Sequence, residues 1–381
     1  MTAREAAAEL GVSPATLYAY VSRGMIRSVP QVGSRQKLYA ADDVRALRGR
    51  AGAHAPAFGE TAQVIETAMT AIQGGRLFYR GIDVETLAGG SRLETIASLL
   101  WQTDEDVFAQ ARDFPTVQAA PVQAGVVSRL LVDLAVAAEA DPAAYVRTPD
   151  GVARTGARIL SQMTVTLAGP RPRAEPIHAA LARGWDRPAA ENLIRTALVV
   201  LADHELAAST YAVRVATSTG ATAWRAVSAG LACLDGPRHG GMGEQVSAFL
   251  EEIGDPGRTE AAFVRRLRAG QSVPGFGHPL YPDGDPRCRL LLEAVRRDMP
   301  SAEGAALAAA VARTGVTLLG RSPNVDFGLA VACRAADLPH EAPMALFAVA
   351  RTVGWVGHVI EQGASSALIR PRARYVGRPP A

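Results

Sequence analysis

Val273-Pro-Gly-Phe-Gly-His278-Pro-Leu-Tyr-Pro-Asp-Gly-Asp-Pro-Arg287 places one histidine and, nine positions on, one arginine with residues that break regular structure between them. Pro279, Pro282 and Pro286 each lack a backbone donor and fix φ, so the segment is not an ordinary helix. Gly275 and Gly277 carry no Cβ, which lets the backbone pass close to whatever lies against it. A stiff loop offering an imidazole and a guanidinium suits a site that holds an oxyanion and polarises a carbonyl. A surface loop with incidental His and Arg is the plainer alternative, and the rest of the chain discriminates between them.

The chain has 381 residues, 48% hydrophobic and 20% charged, enough for two or three domains with a substantial core and unlike a disordered sequence. No uninterrupted apolar run reaches the roughly 18 to 20 residues of a spanning helix, and the start has no basic-then-apolar leader pattern. Cys233, Cys288 and Cys333 are odd in number and far apart. That spacing points to reduced thiols in a cytoplasmic protein, with no zinc site, and the composition and short apolar runs point to no membrane contact.

The net charge of +3 is unevenly spread. Residues 1–50 carry eight basic and four acidic side chains, a net +4, and the remaining 331 residues carry 32 and 33, a net −1. Within those fifty residues Thr2-Ala-Arg-Glu5 reads as a capping box opening a short helix. Ser13-Pro14 reads as an N-cap with proline at the first helical position, and Gly24 as a stop. A turn-rich stretch from Pro30 to Leu38 precedes a third helix from about Ala41 to Arg50. The order resembles the winged helix-turn-helix of the MerR and excisionase group, which implies DNA as a partner through residues 1–50. Arg23, Arg27, Arg35 and Lys37 are then the phosphate contacts. The helix from Pro14 offers few base-reading side chains, so an appendage that packs on the body or aids oligomerisation is the alternative.

Ala51 to Glu60 reads as a linker. Beyond it, helical patterns dominate, among them Thr61–Ile72, Gln123–Ala138, Gly151–Leu167, Ser209–Leu234, Pro286–Asp298 and Pro343–Glu361. Period-2 alternation is scarce, so the body is predicted to be all-α. Four further segments match the opening loop in character. They are Asp203-His204-Glu205 with Ser209-Thr210, Gly236-Pro-Arg-His239-Gly-Gly241, Pro323-Asn-Val-Asp326, and Arg351-Thr-Val-Gly-Trp-Val-Gly-His358 followed by Arg370-Pro-Arg372.

Together and in this order, these segments resemble the citrate synthase family over roughly residues 61–377. Leu77-Phe-Tyr-Arg80-Gly81 and the short acidic helix after it add to the likeness. The resemblance implies condensation of oxaloacetate with acetyl-CoA or propionyl-CoA, with the acyl-CoA as co-substrate and no permanently bound cofactor or metal. Asp326 matches the family's catalytic base, His239 the histidine on the enol oxygen, and His278 the one polarising the keto carbonyl. His204, Arg287, Arg351 and Arg370 match substrate-binding positions. Arg370 is expected to reach a neighbouring subunit's site, which implies a homodimer. The implied body has a large domain (61–240 and 338–381) and a small one (241–337), with the site in the cleft between them.

Each of these residues also has a plainer role available: Asp326 as a helix cap, His239 as packing, Arg370 and Arg372 as surface charge. His358 is expected to be an interior residue. Pro279 and Pro282 stand where many relatives carry cations for CoA, Leu201 where the family has a histidine, and Ala208 where asparagine is common. These departures leave two alternatives beside synthesis: a DNA-binding metabolite sensor built on the same body, and a citryl-CoA lyase.

Overall fold

A computed structural model of the chain describes residues 65–111, 114–121, 123–170, 172, 175–300, 304–373, 375 and 377. Of the first 64 residues it describes 1–10, 17, 21, 26–30, 37–41 and 43–44. The chain divides into two compact units, Met1–Ile65 and Glu66–Ala381.

In the first unit the capping box forms around the helix Ala3–Leu10. The Glu5 N–H donates to Thr2 Oγ1 at 3.3 Å, and the Thr2 N–H donates to the Glu5 carboxylate at 2.8 Å. Strands β1 (Ser28–Pro30) and β2 (Lys37–Tyr39) pair antiparallel, and Ala6, Ala7, Leu17, Ile26, Tyr39 and Val44 are buried together. Arg27, expected on phosphates, forks onto Asp43 with two bonds of 2.8 Å. Leu17 and Val21 are helical, as are residues 41, 43 and 44. The rest of the expected second helix lies outside the described residues, with Arg23, Arg35 and the linker 51–60.

The second unit is mostly helical rather than all-α. Strands β3 (Thr70–Gln73), β4 (Arg76–Tyr79) and β5 (Ile82–Asp83) form an antiparallel meander where a helix over Thr61–Ile72 was expected. The reason is Gly74-Gly75, both at positive φ (58° and 72°), the backbone that a two-residue hairpin turn requires. The expected single helix Ser209–Leu234 is two, Ala208–Ser218 and Ala223–Leu234. Gly220 breaks the run at φ 85°, and Thr222 caps the second helix by accepting the Arg225 N–H.

The helix Ala342–Gly363 runs through the core and is buried along nearly its whole length. It packs against the helices Pro149–Ala168, Ala208–Ser218, Leu93–Trp101, Glu191–Leu201 and Ala223–Leu234. By length and composition it could cross a bilayer, yet 94% of its most apolar stretch is buried within the protein. Arg351 interrupts that stretch, so the sequence shows no continuous apolar run. Small residues set how closely the helices approach. A Cβ on Gly156 would lie 2.6 Å from Val356 Cγ1, and one on Gly230 would lie 3.0 Å from the Trp355 ring.

Candidate active site

The loop that carries His278 is pinned to the start of the helix that carries Asp326. The Gly277 N–H donates to the Ser322 carbonyl at 2.8 Å, and the Asn324 N–H donates to the Gly275 carbonyl at 2.9 Å. Asn324 Nδ2 adds a bond of 3.2 Å to the Gly277 carbonyl, and Phe276 bridges Pro323. Gly275 has φ 85°, and a Cβ there would stand 3.1 Å from Phe327 Cβ. Backbone conformation and close approach both demand glycine at this position.

The helix Val325–Ala335 is capped by Asn324, whose Oδ1 accepts the N–H groups of Asp326 and Phe327 at 3.1 and 3.4 Å. Capping is therefore not the role of Asp326. Its half-buried carboxylate accepts no hydrogen bond from another residue among those described. Burial pushes its pKa up to about 6, with Arg287 pulling the other way.

Arg287 is held by Asp285, a residue the sequence reading did not single out. Asp285 Oδ1 accepts the Arg287 backbone N–H and Nε–H, each at 3.0 Å. Its Oδ2 accepts the Arg287 Nη2–H at 2.7 Å and the Val325 N–H at 3.0 Å. One carboxylate thus ties the guanidinium to the helix of Asp326. Burial opposes both charges, but each ion outweighs that for the other, lowering the pKa of Asp285 and raising that of Arg287.

The remaining groups come from the end of one helix and from the core helix. His204 follows the helix Glu191–Leu201, in a bend where Glu205 sits at φ 50°. Arg351 donates from Nε to the Leu201 carbonyl at 3.0 Å and lies over the Phe347 ring at 4.8 Å, while its Nη2 is buried without a partner. Burial lowers its pKa to about 10, partly offset by Asp203. An orphaned guanidinium N–H is costly to bury, and an anionic ligand would satisfy it.

Three imidazoles meet these groups. His239 Nε2 lies 2.8 Å from Ser209 Oγ, and its ring meets Phe347 edge-on at 5.7 Å. His278 Nδ1 accepts the Leu280 N–H at 3.2 Å, so the neutral ring keeps its proton on Nε2. His204 Nε2 lies 2.9 Å from Tyr281 Oη, and the His204 and His278 rings stand 5.1 Å apart. Burial lowers all three pKa values, helped by Arg351 at His239 and by Arg287 at the other two. His239 and His278 fall to about 4, and His204 falls well below its ordinary value. All three rings are neutral at pH 7.

His204, His239, His278, Asp326, Arg287 and Arg351 therefore share one electrostatic neighbourhood. Arg370 is exposed and does not join it within its own chain. Its neighbour Ile369 donates to Ser218 Oγ at 3.1 Å, at the far end of the helix whose Ser209 meets His239. Nine residues of helix separate those ends by about 14 Å. His358 is fully buried, as expected, accepting the Arg214 Nε–H at 3.1 Å with Nε2 3.4 Å from Asp203 Oδ1. A cavity of about 450 Å³ lies beside Arg287, lined also by Arg76, Glu85, Asp285 and Arg289, but no imidazole and not Asp326 reaches it. Among the described residues no group of three His, Cys, Asp or Glu side chains is placed to hold a metal ion.

Asp285, Ser209, Tyr281 and Asn324 complete the site; all four lie within the quoted motifs, but the sequence gives none of them a role in it. Asp and Asn before a helix start are readable as caps. Which ions or rings they also touch is set only by the fold.

Comparison with known proteins places this geometry. Residues 59–372 match the family described as citrate synthase, C-terminal domain. A citrate synthase of Saccharolobus solfataricus is 30% identical over 352 residues, covering 82% of this chain and 93% of that protein. Citrate synthase 2 of Bacillus subtilis is 35% identical over 185 residues, a match spanning half of its length. The crystal structure of citrate synthase from Thermotoga maritima superposes with a TM-score of 0.74 at 28% identity, covering 84% of this chain and 96% of that one. The Thermoplasma acidophilum enzyme, solved as a ternary complex with carboxymethyl coenzyme A and oxaloacetate, gives 0.75 at 25% identity, with coverage of 84% and 96%. With the family matched over most of the chain and the fold shared with these structures, the chain belongs to the citrate synthase family.

Proposed function

We propose that this enzyme condenses oxaloacetate with an acyl-CoA and hydrolyses the resulting thioester to release CoA. The observation that carries the reading is Asp326: a half-buried carboxylate with no structural bond to make, in the field of Arg287 and Arg351, the same guanidinium groups that act on the neutral imidazoles. It takes a proton from the carbon next to the thioester carbonyl. The enol oxygen that forms is met by His239, whose Nδ1 carries the proton when Ser209 donates to Nε2. His278 Nε2–H polarises the keto carbonyl, whose carbon then bonds to the enol carbon. Arg287, Arg351 and His204 hold the dicarboxylate. Water cleaves the thioester, and the acyl-CoA is consumed as a co-substrate. We assign acetyl-CoA as the first acyl donor and propionyl-CoA as the second. A 2-methylcitrate synthase of Corynebacterium glutamicum is also 26% identical over 345 residues. Release of free CoA by the purified protein across acyl-CoA lengths tests both.

The acid limb of the pH profile follows from Asp326. The base must be ionised, so kcat/KM is expected to fall tenfold per pH unit below about 6. The imidazoles, at about 4, add no limb above pH 5. Their effects on stability run in opposite directions. The raised pKa of Asp326 disfavours the folded state at pH 7, and this is relieved as pH falls from about 6 to 4. The depressed pKa values of His239 and His278 give stability that is lost as pH falls from about 6.5 to 4. A kcat/KM profile with its limb near pH 4 or above 7 contradicts the assignment of the base.

The same reading includes a homodimer in which Arg370 enters the other subunit's site. Its exposure, with Leu368 and Tyr375 exposed on the same tail, supports this. It also includes a cleft that closes between 61–240 with 338–381 and 241–337, because the site residues come from both segments. For the first unit we favour a winged helix-turn-helix. The capped helix, the β1–β2 pair as wing and their shared core support it. Salt-dependent retardation of duplex DNA by the full chain tests it, and no retardation at low salt removes it.

A further inference from the structure

Tyr281 touches three of the proposed site residues. Its hydroxyl lies 2.9 Å from His204 Nε2, its ring centroid is 5.0 Å from that of His278, and the Arg287 guanidinium lies over it at 5.4 Å. The residue is 2% exposed, so it is built into the site rather than resting on it. From the geometry we propose that Tyr281 is a positioning residue: its hydroxyl fixes the tautomer of His204 and so decides which ring nitrogen donates to the substrate.

The direction of the bond follows from what each atom has available. A buried phenol needs an acceptor for its proton, and His204 Nε2 is the only partner within hydrogen-bond distance of Tyr281 Oη among the described residues. The hydroxyl therefore donates. Nε2 is then the acceptor, and a neutral imidazole must carry its proton on Nδ1. Neutrality of both partners agrees with burial, which raises the pKa of Tyr281 and lowers that of His204. Nδ1 has no protein partner among the described residues, so its N–H is the donor left for a keto acid's oxygen. The ring of Tyr281 meanwhile packs on His278 and Arg287, so one side chain sets the relative placement of the carbonyl-polarising and carboxylate-binding groups.

The inference rests on the condensation reading for its substrate, but its structural core can be read without turnover. Tyr281→Phe keeps the ring and removes the hydroxyl. With the 381-residue chain labelled with ¹⁵N-histidine, and His204 assigned through His204→Asn, the wild type is expected to show His204 protonated at Nδ1. Tyr281→Phe is expected to lose that signature. Its KM for oxaloacetate should rise about three- to tenfold, as for one lost hydrogen bond. Its KM for acetyl-CoA should stay unchanged, and its Tm should fall by no more than about 2–4 °C, the worth of one buried hydrogen bond. A His204 tautomer and an oxaloacetate KM both unmoved in Tyr281→Phe overturn the proposal. A wild type that releases no CoA with any acyl donor contradicts the condensation reading instead, and the tautomer signal still decides the role of Tyr281.

Discussion

Asp326→Asn is expected to slow CoA release by about 10²- to 10⁴-fold, the usual worth of a positioned general base, without unfolding the protein. The two halves of that expectation have separate causes. Activity is lost because the amide cannot take a proton from the acyl carbon. The fold is kept because Asn324, not Asp326, caps the helix, and because the Asp326 carboxylate accepts no bond from another described residue. At pH 7 the native protein carries a carboxylate whose pKa burial has raised to about 6, a charge the folded state disfavours. The neutral amide removes that charge, so Tm should hold or rise. Thiol release at saturating substrate, with melting on the same sample, checks both. A variant that keeps its rate would dismiss Asp326 as the base, and one that melts early would give it a structural role instead.

Arg351→Met should separate binding from stability even more clearly. Losing a charge-assisted hydrogen bond to a carboxylate costs about 1.5–3 kcal/mol, roughly ten- to a hundredfold in oxaloacetate affinity. The unliganded protein, however, buries Arg351 with Nη2 unpaired and its pKa lowered to about 10. Methionine fills much of that volume with no charge to desolvate, so the unliganded Tm is expected to rise while oxaloacetate no longer raises it at concentrations that protect the wild type. Arg287 is the informative contrast. It is locked to Asp285, and removing it would leave a buried carboxylate without its counter-ion, so its loss cannot separate the two effects. Calorimetric melting with and without oxaloacetate gives the comparison. An Arg351→Met protein that still gains stability from oxaloacetate as the wild type does contradicts the role of Arg351.

What the sequence made readable follows from how local each signal is. Proline and glycine in 273–287 announce an irregular loop by themselves, and the Thr2 and Glu5 cap is written in four consecutive residues. The meander after residue 69 does not show in the sequence pattern although Gly74-Gly75 is a hairpin signal, because its strands are only two to four residues long. The break at Gly220 was lost in a long alanine-rich stretch with helical spacing on both sides. Asp285 and Tyr281 lie inside the quoted loop, yet their value comes from contacts across the fold: Asp285 to Val325, and Tyr281 to His204, 77 positions away. No spacing rule carries that information. For Arg370 the expectation of a substrate contact rests on resemblance alone, and in a single chain the residue is exposed and apart from the other six.

The most direct test is to mix the purified 381-residue chain with oxaloacetate and acetyl-CoA, then follow free thiol and citrate together. Stoichiometric appearance of both, abolished in Asp326→Asn, is the expected result. No thiol release with acetyl-CoA, propionyl-CoA or longer acyl-CoAs, from protein that melts cooperatively, would contradict the condensation.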